Sequence, residues 1–269
     1  MKWILVTGAF GQLGLSIQDI HKNYTDFTFV FKDSKELDIT NFESIEETIG
    51  SGNYDFVINC AAYTNVEQAE KTPEIAFKVN AEGVKNMALA CKKHGVALIH
   101  ISTDYVFDGE KEGPYTVHDI PNPINEYGKS KWEGEKYVQD ILTDYFIVRT
   151  SWLYSKKHKK NFYRTILEKA KHGEVLSVTD AQIGCPTDAI NLATFTIELI
   201  KKDIRTYGLL HFTDGEAMSW YNFAQKILKK NFLSKRVTLV KDKNYHTFAL
   251  RPKNSILKNT EQINLSKEK

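Results

Sequence analysis

Cysteine is scarce. Cys60, Cys91 and Cys185 are three in 269 residues, odd in number, far apart, and without a spacing that holds a metal. That excludes a disulfide framework and leads to the expectation of a reduced, cytoplasmic chain. Long apolar runs are missing too: none approaches the ~20 residues a membrane-spanning helix needs. The N-terminus runs directly into the apolar segment Trp3-Ile4-Leu5-Val6, so no secretory leader is expected. Neither sign of charge is in excess. With 36 Lys and Arg against 34 Asp and Glu, a net +2 gives no reason to expect nucleic acid or a membrane as partner. Repeats and low-complexity segments are absent. What is there is 42% hydrophobic and 26% charged, the balance of an ordinary globular protein, and long enough for a large core with a smaller lobe.

Glycine is grouped at the start. Ile4-Leu5-Val6 reads as a short strand, followed at once by Thr7-Gly8-Ala9-Phe10-Gly11-Gln12-Leu13-Gly14 and a helical pattern with Leu13, Ile17 and Ile20 on one face. A glycine turn between strand and helix brings backbone N–H groups close to a phosphate at the helix's positive end. The spacing is GxxGxxG rather than the strict GxGxxG. With 15 glycines it would arise by chance about once in twenty chains, so its place between strand and helix carries the reading. A second strand, 27–31, ends at Lys32 and Asp33, and Asp33 lies nineteen residues past Gly14. An acid there binds the ribose hydroxyls of NAD, and a cation favours the 2′-phosphate of NADP. Both are present, so both cofactors stay open, with a lean to NADPH because Lys32 leaves the strand first.

A helix is expected over 42–49 behind Asn41, and a third strand over 55–59 that ends in Cys60-Ala61-Ala62-Tyr63-Thr64. Pro73 opens a long helix to about His94, stopped by Gly95. Short, continuously apolar strands alternating with helices predict an α/β fold: a Rossmann-type, doubly wound parallel sheet. Ligands in such sheets lie beyond the carboxyl ends of the strands. Gly8, Asp33, Ala61 and Ser102-Thr103 all fall on that edge.

The chemistry is expected between Gly95 and Lys131. Strand 96–101 ends in Ser102-Thr103-Asp104, and a polar loop leads to a helix at Tyr127-Gly128-Lys129-Ser130-Lys131. Thirteen tyrosines predict roughly 1.5 chance YxxxK matches, so context supplies the weight. Tyr and Lys at i and i+4 share a helix face. An ammonium ~4 Å from a phenol, at an effective dielectric of ~20, contributes roughly 4 kcal/mol, enough to bring Tyr127 near 7. Thr103 would donate to a carbonyl oxygen as negative charge develops on it.

These segments together resemble a known family. Thr7-Gly8-x-x-Gly11-x-x-Gly14, Leu37-Asp38-Ile39-Thr40, Ala61-Ala62-Tyr63-Thr64, Ser102-Thr103-Asp104-Tyr105-Val106-Phe107-Asp108-Gly109 and Tyr127-Gly128-Lys129-Ser130-Lys131 are similar to the dTDP-4-dehydrorhamnose reductase family of extended short-chain dehydrogenases/reductases. The resemblance spans nearly the whole chain. It implies an oxidoreductase that uses NAD(P)H to reduce C4 of a nucleotide-linked 4-keto-6-deoxyhexose, with Thr103, Tyr127 and Lys131 as the catalytic set. It also implies cofactor contacts from Gly8, Phe10, Gly11, Gln12, Leu13, Lys32, Asp33, Asp38, Ile39, Ala61, Ala62 and Tyr63, together with Tyr127 and Lys131. Substrate contacts would come from Val66, Thr103, Asp104, Tyr105, Trp152, Asn161, Gln182 and Arg251. A related keto sugar, or a catalytically silent NADP-binding subunit, are the rival readings.

Residues 1–150 are expected to form the cofactor domain, with 187–213 returning to it. Residues 151–186 and 214–269 would form the substrate lobe. A helix is expected from Asn161-Phe162 to His172, another from Thr187 to about Lys201, and a third behind Ser219; Leu209–Phe212 reads as a strand. Trp152 offers a flat apolar face to a deoxyhexose. Lys156-Lys157-His158-Lys159-Lys160 reads as a solvated loop. Two features depart from the family. Where some members carry a metal-binding carboxylate behind the third glycine this chain has Leu15-Ser16, so no metal site is expected, and a monomer or weak homodimer is. The loop Tyr115-Thr116-Val117-His118-Asp119 is less acidic than is common, which leaves the sugar open.

Overall fold

The computed structural model describes residues 1–173 and 175–261. Glu174 and the last eight residues of the expected lobe lie outside the described residues.

Strand β1 (Lys2–Thr7) is buried from Ile4 onward and feeds helix α1 (Gln12–Ile20) through the glycine turn. Then follow β2 (Phe27–Lys32), α2 (Phe42–Ser51), β3 (Phe56–Asn59), α3 (Val66–Lys71), α4 (Pro73–Phe77), α5 (Gly83–His94), β4 (Ala97–Thr103), α6 (Glu126–Ile141) and β5 (Tyr145–Thr150). The chain continues as β6 (Leu153–Tyr154), α7 (Phe162–Lys171), β7 (Leu176–Val178), β8 (Ile183–Gly184), β9 (Thr187–Asp188), α8 (Ala189–Lys201), β10 (Gly208–His211), β11 (Met218–Ser219), α9 (Trp220–Lys230) and β12 (Leu239–Lys241). The main sheet runs β2-β1-β3-β4-β5-β10, and its paired strands are all parallel. Strand order reverses between β1 and β3, and the crevice beyond their carboxyl ends is where such sheets take ligands.

Both faces are covered, which is why the strands are apolar without alternation. Ile4, Val6, Ile58, Ile99 and Val148 pack under α1 and α8, while Leu5, Val57, Leu98 and Ile147 pack under α2, α5 and α6. A smaller core joins α7, α9 and the pair β7–β12 through Tyr163, Ile166, Phe223 and Ile227. The segment 251–260 laces this lobe to the rest: Tyr115 N donates to Ile256 O and Thr260 N to His211 O. No helix among the described residues is long and apolar enough to cross a membrane.

Two expected helices differ in detail. The stretch from Pro73 to His94 is interrupted by a π-helical turn over Lys78–Glu82, which carries the fully buried Asn80. Asn80 Oδ1 accepts from Tyr63 N, and Nδ2 donates to Tyr63 O and Ser130 Oγ. Wide turns of this kind occur frequently at functional sites. The helix expected from Thr187 starts two residues later, because Asp188 is its cap, accepting from Ile190 N while Thr187 pairs with Leu153.

Candidate active site

The glycine turn is fixed by crowding. Gly8 has φ +63°, and a Cβ there would lie 2.6 Å from Ala61 N, so β1 and the segment after β3 meet only through a glycine. Gly11 caps α1, whose first turn holds no acid. The leading N–H groups of a helix lack intrahelical partners, which makes this a fitting cradle for a diphosphate. Gln12 turns away from it: its Oε1 accepts from Ser155 N at 3.0 Å and Asn161 Nδ2 at 2.9 Å, tying α1 to the lobe.

Beyond β2, Asp33 Oδ1 caps its own turn by accepting from the N–H groups of Lys35 and Glu36. Among the described residues, Lys32 has only a 3.9 Å ion pair with Glu36. Of the two candidate cofactor contacts here, the cation is the less committed. Asp38 is likewise spent on Thr40 N and Oγ1. Ile39 is buried with the α2–α5 core, and its side chain lies where a Cβ on Gly83 would intrude. Phe10 is half-exposed on the turn.

A cleft of about 620 Å³ opens between this edge and the lobe, and its wall includes Thr103, Tyr127, Lys131, Val66, Trp152 and Asn161. Gly11, Gln12, Leu13, Ala62, Asp104 and Tyr105 line it as well. Gln182 and Arg251 line an adjoining cavity of about 280 Å³, which shares Phe162 and Trp220 with the cleft.

Strand β4 and helix α6 build the floor. Asn125 caps α6, its Oδ1 accepting from Gly128 N at 2.7 Å. Gly128 lets the helix lie on the loop after β4, since a Cβ would come 2.1 Å from Tyr105 O. Thr103 Oγ1 accepts from Tyr105 N and donates to Asp104 Oδ1, both at 3.1 Å, and the Tyr127 hydroxyl hydrogen-bonds to Thr103. Burial pushes Asp104 up to about 6, against hydrogen bonds from Ser255, Ser151 and Thr103 that pull it down. Thr150, in register with Thr103, buries a hydroxyl that has no partner among the described residues.

The expectation that Lys131 brings the Tyr127 phenol near 7 is corrected. Tyr127 shows part of its surface to the cleft, but its hydroxyl end is buried, and burial drives it above its usual 10. Lys131 Nζ turns aside, donating to Ile101 O at 2.7 Å and lying 3.3 Å from His100 Nε2. Burial brings Lys131 itself down to about 8, with Glu135 and Cys60 acting the other way. Desolvation of both groups outweighs the attraction assumed between them.

Several members of the site escaped the sequence reading. Glu135, four residues past Lys131, is buried in a two-pronged pair with Arg149 and accepts from Ser102 Oγ. The i+4 spacing from Lys131 was its available signal. Trp220 stacks on Trp152 with ring centroids 3.5 Å apart, and donates from Nε1 to Gln182 Oε1 at 3.0 Å. One face of Trp152 is thus already covered, and the pair of indoles walls the cleft together. Arg251, which the sequence reading names, donates from NH1 to Tyr105 OH and from NH2 to Glu67 Oε1, while its buried Nε has no partner among the described residues.

The family model described as "RmlD substrate binding domain" matches residues 1–267. The chain belongs to that family. Among curated relatives of this RmlD-family chain, a dTDP-4-dehydrorhamnose reductase of Aggregatibacter actinomycetemcomitans is 39% identical, over 96% of this chain and 90% of the relative. Another of that name, from Salmonella typhimurium, is 36% identical over 97% and 90%. A crystal structure of a dTDP-4-dehydrorhamnose reductase from Bacillus anthracis in complex with NADP superposes with a TM-score of 0.91 at 39% identity, covering 97% of this chain and 92% of that one. The Rossmann-type sheet is shared with that solved structure.

Proposed function

We infer that this RmlD-family chain is an NADPH-dependent reductase of the C4 keto group of dTDP-4-dehydro-L-rhamnose. One observation carries the reading. Thr103, Tyr127 and Lys131 line one cleft at the ligand edge of the sheet, beside a glycine turn shaped for a diphosphate. The RmlD-family relatives named above support the sugar, and the NADP-bound relative supports the cofactor. The less committed Lys32 suits its 2′-phosphate.

Bound NADPH supplies the hydride. Tyr127, held protonated by burial, gives its proton to the C4 oxygen as negative charge builds there; an alkoxide is basic enough to take it from an unperturbed or raised phenol. Thr103 orients that oxygen by turning its one hydroxyl proton from Asp104 Oδ1 toward it. Lys131, on the wall of the same cleft, holds the cofactor ribose once its amine turns from Ile101 O. The indoles of Trp152 and Trp220 pack against the deoxyhexose, and Arg251 with the adjoining cavity takes the nucleotide end. The setting is the cytoplasm, in keeping with three free cysteines, and the working form is a monomer or weak homodimer.

Following NADPH absorbance while supplying dTDP-4-dehydrorhamnose tests this. Consumption matched by dTDP-rhamnose is the expected result. Turnover of a different 4-keto sugar alone removes the rhamnose assignment, and turnover of none removes the enzyme.

A further inference from the structure

A polar file crosses the sheet beneath Lys131. Thr7, Asn59 and His100 are register partners on β1, β3 and β4, all at most 1% exposed. Thr7 Oγ1 donates to Asn59 Oδ1 at 2.7 Å, and Ala61 N donates to the same oxygen at 3.1 Å. A backbone N–H can only donate, so the Asn59 amide has one orientation. Its Nδ2 then faces His100 Nδ1 at 3.2 Å. An amide nitrogen also can only donate, so Nδ1 must accept and the ring proton sits on Nε2. That nitrogen faces Lys131 Nζ at 3.3 Å.

An ammonium there would set donor against donor. A neutral amine resolves the conflict: it still donates to Ile101 O at 2.7 Å, and its lone pair accepts from His100. We propose that His100 is a positioning residue for Lys131, locked by Asn59 into the tautomer that turns an N–H toward the amine and favours its deprotonated form. His100 acts through Lys131 and touches neither substrate nor cofactor in this arrangement.

The other charged and titratable groups around Lys131 do not overturn this balance. On its own helix stand Tyr127, neutral because burial raises it, and Glu135, which favours the ammonium but is shared with Arg149 of β5. From the end of β3, Cys60 also favours the ammonium, although burial pushes its own thiol up to about 12. His100 cannot relieve the conflict by charging: an imidazolium would turn a second N–H against Asn59 Nδ2, and burial holds the ring well below 6.5. Burial alone already brings Lys131 down to about 8, and the N–H of His100 acts in the same direction. Such a lysine can release and recover a proton at working pH, beside the tyrosine that gives one away.

The role in turnover rests on the proposed reductase reading, so the first readouts do not use activity. In protein carrying ¹⁵N-histidine and ¹³Cε-lysine, NMR reports the His100 tautomer and the Lys131 midpoint; loss of a resonance in His100→Leu and Lys131→Arg assigns them. Expected are a proton on Nε2 and a midpoint near 8, rising about tenfold in proton affinity, or about one pH unit, in His100→Leu. A proton on Nδ1, or a midpoint that His100→Leu leaves in place, overturns the proposal. Should His100→Leu not fold, the wild-type tautomer and midpoint decide the matter. With a substrate in hand, the basic limb of kcat/KM should move up by the same amount; uniform loss at all pH values would mark His100 as merely structural. A shifted midpoint in a protein that reduces no keto sugar would leave the pairing standing and remove the function instead.

Discussion

The two walls of the cleft are built differently. On the sheet side every group to which we assign a part in the chemistry stands on a strand of the main sheet, on α6, or on the turn that leaves β4. Thr7, Asn59 and His100 share one register, and Ser102 and Thr103 pair with Arg149 and Thr150. On the lobe side the strands are two or three residues long, and the wall is held by contacts between distant parts of the chain. Arg251 reaches Glu67, Asn125 reaches Leu250, and Trp152 stacks on Trp220. Chemistry needs side chains fixed to fractions of an ångström, and a buried sheet over-determines them. Recognition of a sugar and its nucleotide, the part we propose for the lobe wall, needs broad, adjustable surface, which stacked aromatics on short elements supply.

The sharpest way to break this comparison is on the sheet wall. Tyr127→Phe should lower kcat by roughly 10²–10⁴-fold, the usual worth of a positioned acid, while NADPH still binds. Fluorescence titration of NADPH beside steady-state rates checks it, and substantial retained turnover would remove Tyr127 as the acid.

Asp104 stands at the seam, accepting from Thr103 on one side and from Ser151 and Ser255 on the other. Its folded pKa is raised from 3.8 to about 6, so the folded state holds its proton more tightly than the unfolded chain. The wild type therefore loses stability as pH rises through that window, and the whole cost of burying the charge is present above it. Asp104→Asn does not titrate. Relative to wild type it should gain ~3 kcal/mol of stability as pH rises across the window. Urea melts at several pH values measure this, and a flat difference would contradict the buried carboxylate.

The smallest effect is expected on the lobe wall. Trp220→Ala should raise KM for the nucleotide sugar about tenfold, with kcat changed little, because it removes stacking and no reacting group. A loss in kcat instead would place the lobe wall in the chemistry and dissolve the distinction.

The same contrast governs what could be read from the amino-acid order. The strand–turn–helix around Gly8 and the Tyr127–Lys131 pair were legible because each is a local pattern with its own spacing. His100 was not: it lies inside the apolar run 96–101 and looks like core until its partners on β1 and β3 are known. Asn80 was hidden inside a helix whose period it breaks. Trp220 read as the start of a helix, since nothing near it in sequence announces Trp152 across the cleft. The Tyr127 expectation failed for a related reason. Spacing puts a lysine on the right face, but only the fold shows its amine drawn to Ile101 O and His100.

The central claim, that this sheet edge delivers hydride to C4 of the sugar, is tested most directly with NADPH deuterated at the transferring position. Incubation with dTDP-4-dehydrorhamnose should give dTDP-rhamnose carrying one deuterium at C4, seen by NMR, and Tyr127→Phe should give almost none. Product labelled elsewhere, or no labelled product from an intact protein that binds NADPH, would contradict the account.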